Sequence, residues 1–475
     1  MTRCDVGQVT SIDTLPDDVL LGIFDFYLYD AQVTIGRERA WQLLVHVCRR
    51  WRCTVFGFPR QLNLQLVCAG RTRARDTLDV WPALPLVIQC EVDYPIRNVD
   101  NIIAVLERRD RVCQISLIVV RSSDLEIFLA AMQQPFPELT RLELKLFKQS
   151  AAAFPDSLLG GSATRLEYLM LKNIPFPGLP KLLLSATHLV NLTLRQIPHS
   201  GYISPDAMVA ALSALTSLES LTLVFQSPRS CPNRETRHPS SSTRSILPVL
   251  TFFRFKGVSE YLEDLVACID TPRLLELSIT FFNDVVFDTP QFMQFINRTP
   301  MLTSLEKAHI TLWNKAAYVN FSSPTSGHGS LNVEILCSGL NWQVSAVEQV
   351  CTSCLPSLWM SEDLYMYERP GWRLEWKEKI ENGLWVELLH PFTALKNLYL
   401  CEEFERRIGP ALQELVEGRT TEVMPTLQNI FLEGLGVEEG IRRFVAARRV
   451  AGHPITISRW VNSGMEMIIS YYVDE

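Results

Sequence analysis

Apolar positions recur along this chain with two different periods, and the change from one to the other divides it. Near the start, Val19, Leu20, Ile23, Phe24 and Tyr27 return at three- and four-residue steps, with Leu21 and Phe26 at the edges of the stripe, which predicts a helix beginning near residue 16. Pro16 suits a first helical turn, where its missing N–H is not needed, and Asp17 and Asp18 complement the positive end of the helix dipole. A second helical period, Trp41, Leu44, Val45, Cys48, Trp51 and Val55, follows the charged start Arg37-Glu38-Arg39. Further on, a different spelling takes over. The pattern LxxLxL occupies 139–144, 166–171, 189–194 and 218–223, and returns at 274–279, 395–400 and 427–432. Degraded copies lie at 112–117, at 250–255 and around 302–312.

The starts at 139, 166, 189, 218, 250 and 274 are 23 to 32 residues apart, which brackets the leucine-rich-repeat period. Each copy predicts a short strand with its leucines pointing inward, covered by helical or irregular return segments such as 205–215 and 261–269. One repeat cannot bury its own apolar face, but stacked neighbours can. A curved parallel sheet with helical return segments is therefore expected. The position three after the last leucine, usually Asn or Cys in such repeats, is Phe147, Ile174, Ile197 or Gln226, so the ladder of side-chain amides is expected to be missing and the solenoid irregular. The rival architecture is an ordinary α/β sheet with helices on both faces, which the evenly repeated spelling disfavours.

The first two helices carry more apolar surface than a module of about 50 residues can bury alone, so they imply a partner or the domain behind them. Their spelling is specific: Leu15-Pro16 opens the first helix, Ile23-Phe24 follows, and Cys48-Arg49-Arg50-Trp51-Arg52 closes the second patch. Residues 12–60 resemble an F-box of the fungal type, with 29–36 read as a variant loop and Cys48-Arg49-Arg50 as a variant spelling. The resemblance implies docking to a Skp-type adaptor and, through it, to a cullin. Without the resemblance, the same helices read as a cap on the repeats.

The expected organisation is an N-terminal arm at 1–11, the F-box at 12–60, a linker with first degenerate repeats at 61–110, and a leucine-rich-repeat-like solenoid over 111–475. Residues 227–245 are rich in Ser, Pro and Arg and nearly free of large apolar side chains, which predicts a loop, and 322–330 looks similar and shorter. At 437–475 a cap is expected. Glu438 and Glu439 face Arg442 and Arg443 at i,i+4 spacing, a strand follows at 455–457, and the alternating Met465, Met467, Ile469, Tyr471 and Val473 suggest a last strand.

The composition, 47% hydrophobic and 20% charged, supplies ample core for 475 residues. A formal net charge of -7 argues against nucleic acid or an anionic membrane as the main partner, since either needs a concentrated positive field. The first residues lack the apolar core of a signal peptide, and no apolar stretch is long enough to span a bilayer, so cytoplasm or nucleus is the expected site of action. Twelve cysteines without scaffold spacing fit a reducing compartment. Cys351 and Cys354 have CxxC spacing but lack the second pair or nearby histidines of a zinc site. Gly434, Gly436 and Gly440 miss the GxGxxG register by one residue, and GxSxG, HExxH and GxxxxGK[ST] are absent. No catalytic residue, metal or cofactor is expected.

These readings converge on a substrate-recognition subunit of a Skp–cullin–F-box ubiquitin ligase. The alternatives are an F-box scaffold outside any ligase and a plain leucine-rich-repeat interaction module. The adaptor is expected at Leu15, Pro16, Val19, Leu20, Ile23, Phe24, Val47, Cys48 and Trp51. A target protein is expected on the concave face, at Arg141, Glu143, Lys145, Tyr168, Met170, Lys172, Asn191, Thr193, Arg195, Glu276, Tyr399, Phe431 and Glu433, where strand residues project between the inward leucines. Lys145, Lys172 and Arg195 follow their leucines in successive repeats, so a basic stripe with steps of about 5 Å is expected there.

Overall fold

A computed structural model describes residues 12–34, 37–69, 74–90, 99–147, 155, 157–230, 244–282, 289–303, 305–313, 315–323, 329–337, 339–354, 361–368, 380–416, 421–434 and 436–460. The chain forms two compact units, Met1–Leu169 and Met170–Glu475.

The first unit opens with three helices, α1 (Asp17–Thr34), α2 (Arg37–Val47) and α3 (Arg49–Gly57). Leu20, Phe24, Leu28, Trp41, Val45 and Val55 are buried between and beneath them. The Phe24 and Trp51 rings lie 4.8 Å apart, and Arg50 donates to the Asp17 carboxylate at 2.7 Å and to the Leu15 carbonyl, which ties α3 to the start of α1. The Cys48 sulfur accepts the Trp51 N–H and so caps α3. α1 continues to Thr34, so most of 29–36 is helix rather than the expected variant loop: no Pro or Gly lies between Tyr29 and Gly36.

Behind the helices, β1 (Leu66–Ala69), α4 (Ala74–Val80), β2 (Leu86–Cys90), α5 (Val99–Leu106), β3 (Val112–Val119), α6 (Ser122–Ala131) and β4 (Arg141–Leu146) alternate, and the four strands pair in parallel in chain order. The repeating architecture thus begins at Leu66, inside the span 61–110 expected to hold a linker and the first degenerate repeats. Leu66, Leu86 and Val112 are aligned across the strands and buried, as are Leu117 and Leu144.

In the second unit, β5 (Tyr168–Lys172) spans the division, and α7 (Leu179–Leu183), β6 (Asn191–Ile197), α8 (Pro205–Leu212) and β7 (Ser220–Phe225) follow the repeat spelling. The short β8 (Ser245–Ile246) and β10 (Ile269–Asp270) pair with each other, flanking β9 (Phe252–Gly257) and α9 (Ser259–Ala267) in sequence. Next come β11 (Glu276–Phe281), α10 (Pro290–Arg298), β12 (Lys307–Trp313), β13 (Ala316–Ser322), β14 (Ser330–Leu336) and α11 (Leu340–Gln349). The chain continues as β15 (Asp363–Glu368), α12 (Asn382–Leu389), β16 (Asn397–Leu400), α13 (Glu402–Glu414), β17 (Asn429–Leu432), α14 (Glu439–Val450) and β18 (Thr456–Arg459).

The strands do not all follow chain order. β11 is followed in space by β14, β13, β12 and then β15, and β13 runs against its neighbours. A hairpin-linked trio therefore interrupts the parallel array, where a degraded copy was expected around 302–312. The expected loop at 322–330 is the link between two of these strands, since β13 ends at Ser322 and β14 starts at Ser330; residues 324–328 lie outside the described residues. Likewise, 231–243 of the expected loop 227–245 and the expected last strand at 465–473 lie outside them.

The amide ladder exists, at another position. Asn397 donates to Asp363 Oδ1 at 2.7 Å and Asn429 donates to Asn397 Oδ1 at 2.8 Å, linking the first residues of β15, β16 and β17. In place of a ladder after the leucines, charged side chains tie successive repeats: Arg298 reaches Asp270 at 2.9 Å, and the buried Arg448 donates to the Pro425 carbonyl at 3.0 Å.

Candidate functional site

The first candidate face lies on the N-terminal helices. α1 is amphipathic on two sides: Leu20 and Phe24 are fully buried, whereas Val19 and Ile23 are each 42% exposed and Phe26 is 73% exposed. On α2, Leu43 and Val47 expose 55% and 59%. Steps of four and three residues put Val19, Ile23 and Phe26 on one side of α1, and a step of four puts Leu43 and Val47 on one side of α2. Of the residues expected to meet an adaptor, Pro16, Val19, Ile23, Val47 and Cys48 are exposed, while Leu15 and Trp51 are half-buried. Leu20 and Phe24 correct the expectation. Both are enclosed by the module's own core, because a period of three and four residues yields one broad stripe and does not say which half of it faces inward. Leu43 was missed, although its four-residue step to Val47 was legible.

The second candidate is the strand face away from the buried leucines. In the first unit, Arg141 and Lys145 both pair with Glu143, at 3.1 and 2.6 Å, and the Arg141 guanidinium stands 3.7 Å from the centre of the Tyr168 ring. Burial works to raise the Glu143 carboxyl, but the hydrogen bonds and charges of Lys145 and Arg141 outweigh it and hold the group below its ordinary value. Lys145 is thus compensated locally, which weakens the expected basic stripe. In the second unit, Lys172 is half-buried, and Arg195 sits beside a register break between Leu194 and Ile197, with Gln196 at φ +51°. There it lines a small cavity of about 20 Å³ with Phe225 and Tyr261. Met170 and Thr193 are nearly buried, and Asn191 accepts the Thr193 hydroxyl at 2.9 Å. Glu276 is half-buried; burial raises its carboxyl and the charge of Arg254 offsets this in part.

The most developed arrangement on this face is an aromatic row. Register aligns His309, Tyr365, Tyr399 and Phe431 across β12, β15, β16 and β17. Their rings stack nearly parallel, 4.5 Å from His309 to Tyr365, 4.1 Å from Tyr365 to Tyr399 and 4.4 Å from Tyr399 to Phe431. These distances are close to the spacing of neighbouring strands, so the sheet itself sets the stack. Trp460 lies edge-on to Tyr399 at 5.7 Å and to Tyr365 at 6.3 Å, fixed by its indole N–H on the Leu400 carbonyl at 3.1 Å. Burial, aided by the charge of Lys307, lowers the His309 imidazole to about 4, so it is neutral near pH 7. Burial raises the phenols of Tyr365 and Tyr399. The row is therefore uncharged. Glu433, one residue past β17, is exposed beside it.

Tyr399 and Phe431 were expected here, and His309, Tyr365 and Trp460 were not. The alternation of Leu364 and Met366 around Tyr365 is the signal that marks β15, but it lacks the repeat spelling. Among the described residues, no group of three His, Cys, Asp or Glu side chains gathers as a metal site, and no helix is long and apolar enough to cross a membrane. The N-terminal helices and the aromatic row offer aliphatic and aromatic side chains, the latter of a kind enriched at protein interfaces.

No family model matches the sequence, and none of the curated proteins matches it. Among solved structures, the leucine-rich repeat-containing protein LegL7 from Legionella pneumophila matches 72% of this chain and 91% of that chain, at 11% identity and a TM-score of 0.24.

Proposed function

We propose that this chain is the substrate-recognition subunit of a Skp–cullin–F-box ubiquitin ligase. The N-terminal helices hold the adaptor, and the strand face of the repeats holds a target protein. The observation that carries the reading is the exposed apolar set Val19, Ile23 and Val47 on helices whose spelling resembles an F-box. Apolar side chains left exposed on α1 and α2, with the module's own core already filled by Leu20 and Phe24, fit a partner that removes them from water.

The mechanism is proximity. The receptor raises the effective concentration of a target lysine near ubiquitin carried by another subunit, and makes or breaks no covalent bond itself. The aromatic row supports the second half of the reading, because its rings are already ordered by the sheet and lose little freedom on binding. Purification of the tagged chain from native cells separates the readings. Adaptor and cullin recovered together support a ligase, adaptor alone points to a scaffold outside any ligase, and neither leaves a plain interaction module.

A further inference from the structure

The first unit contains a cleft at the β1–β3 end of the strand face described above, where Gln114 is aligned with Arg141 on the next strand. It has a free volume of about 180 Å³ and lies between the N-terminal helices, which contribute Leu28 and Trp41, and the outer face of β1, β2 and β3, with Val67 and Val87 at its base. That is room for on the order of ten water molecules. Among the described residues, its polar lining is made of Asn63, Gln65, Gln89 and Gln114, with no ionisable side chain. Trp41 is held in place by its indole N–H on the Gln65 carbonyl at 3.0 Å. By contrast, among the described residues no hydrogen bond engages the side-chain amides of Gln65, Gln89 or Gln114. Each presents both a donor and an acceptor to the cleft.

An uncharged lining selects against ions, since a charge moved there would lose water without gaining an opposite charge. A carboxamide has the same donor and acceptor pair as a peptide group and can serve either side of one. The spacing fits as well. Gln114 is aligned with Val87, so Gln89 stands two residues further along the strand direction, about 6.6 Å at the strand rise. The same distance separates carbonyls that face one way on an extended peptide.

We propose that this cleft binds an extended, uncharged segment of a partner protein through its backbone amides, with aliphatic side chains of that segment against Trp41, Val67 and Val87. The proposal deepens the receptor reading only in assuming that the partner is a protein. It requires neither the adaptor nor the aromatic row.

The probe is a phage-displayed library of uncharged peptides, selected on the purified full-length chain. The best peptide is then made with each backbone amide N-methylated in turn. Binding is expected to fall at least tenfold in the Gln89→Ala/Gln114→Ala double variant, and at least tenfold on N-methylation at alternating positions, while Tyr399→Ala changes neither. Gln89→Glu keeps the side-chain size, replaces the donor with a charge and is expected to lose binding as well; unchanged thermal unfolding of both variants establishes that the fold is intact. No enrichment over the double variant, equal binding to it, or indifference to N-methylation overturns the proposal. Selective binding of neutral oligosaccharides on a glycan array, lost in the double variant, would assign the cleft to a polyol and overturn it too. Adaptor binding measured on the same preparation keeps this outcome separate from the fate of the receptor reading.

Discussion

Glu405 accepts the backbone N–H of Glu438 at 2.8 Å, so a buried carboxylate on α13 holds the entry to α14 in the next repeat. The same device occurs earlier, where buried Glu263 on α9 accepts the N–H groups of Gln291 and Phe292 at the start of α10, at 2.9 and 2.7 Å. The first N–H groups of a helix have no partner within it, and here the neighbouring repeat supplies one. Glu263→Ala is expected to cost about 2 to 3 kcal/mol, because it strands two donors beside a cavity, and Glu263→Gln less, because one acceptor remains. Denaturant unfolding of the three proteins checks the order.

Gly409 and Gly440 let α13 and α14 approach closely. A Cβ on Gly440 would lie 2.2 Å from the Gly409 carbonyl oxygen, a backbone atom that cannot swing aside. Gly440→Ala is therefore expected to destabilise the second unit by at least about 2 kcal/mol through overpacking, against a gain of under 1 kcal/mol from the better helix propensity of Ala. A melting temperature equal to the wild type would show that the two helices separate at little cost.

Removing Tyr399 breaks two stacked pairs, with Tyr365 and with Phe431, whereas removing Phe431 breaks one. At about 0.5 to 1.5 kcal/mol for each aromatic pair beyond its burial, and with the edge-on Trp460 pair lost as well, Tyr399→Ala is expected to be the costlier change by roughly two pairs. A double-mutant cycle across Tyr365 and Tyr399 measures the coupling directly.

Much of this architecture is legible in the sequence where one spelling repeats. β4, β6 and β7 each start two residues into the copies at 139–144, 189–194 and 218–223, and α14 carries the Glu439 and Arg443 pair, which meet at 3.0 Å. The spelling fails where burial no longer depends on leucine. β13 alternates Ala317, Val319 and Phe321 with polar residues and forms antiparallel pairs, so it carries no repeat signature. The ladder through Asp363, Asn397 and Asn429 depends on strand register, which brings residues more than thirty positions apart into contact. Register is fixed by which face each strand buries across the whole sheet, not by any one segment. For the same reason the aromatic row emerges only when four strands are aligned, although Tyr399 and Phe431 were legible singly.

His309 is expected to make stability depend on pH in one window. Its imidazole is lowered from 6.5 to about 4 in the folded chain, and its Nδ1 is buried with no hydrogen-bond partner among the described residues. Between those values the unfolded chain binds the proton that the folded chain refuses, so stability is full above about pH 6.5 and is lost as pH falls towards 4. At about 1.4 kcal/mol for each pH unit, the loss reaches at most about 3.5 kcal/mol. His309→Phe keeps a ring in the row and removes the titrating group. Its unfolding free energy is expected to fall less steeply than the wild type's over this window, and equal slopes would assign the dependence to other groups.

The most direct test of the receptor reading is the affinity of a purified Skp-type adaptor for the wild-type chain, for Ile23→Ala and for Phe24→Ala, with thermal unfolding measured alongside. Ile23 is 42% exposed, so its truncation is expected to weaken adaptor binding by about 2 kcal/mol or more while the melting temperature stays near wild type. Phe24 is fully buried against Trp51, so Phe24→Ala is expected to cost about 3 to 5 kcal/mol of stability and to lose adaptor binding only as the module loosens. Wild-type affinity in a folded Ile23→Ala protein, or no adaptor binding by the wild-type chain at all, would contradict the assignment of the N-terminal helices as the docking module.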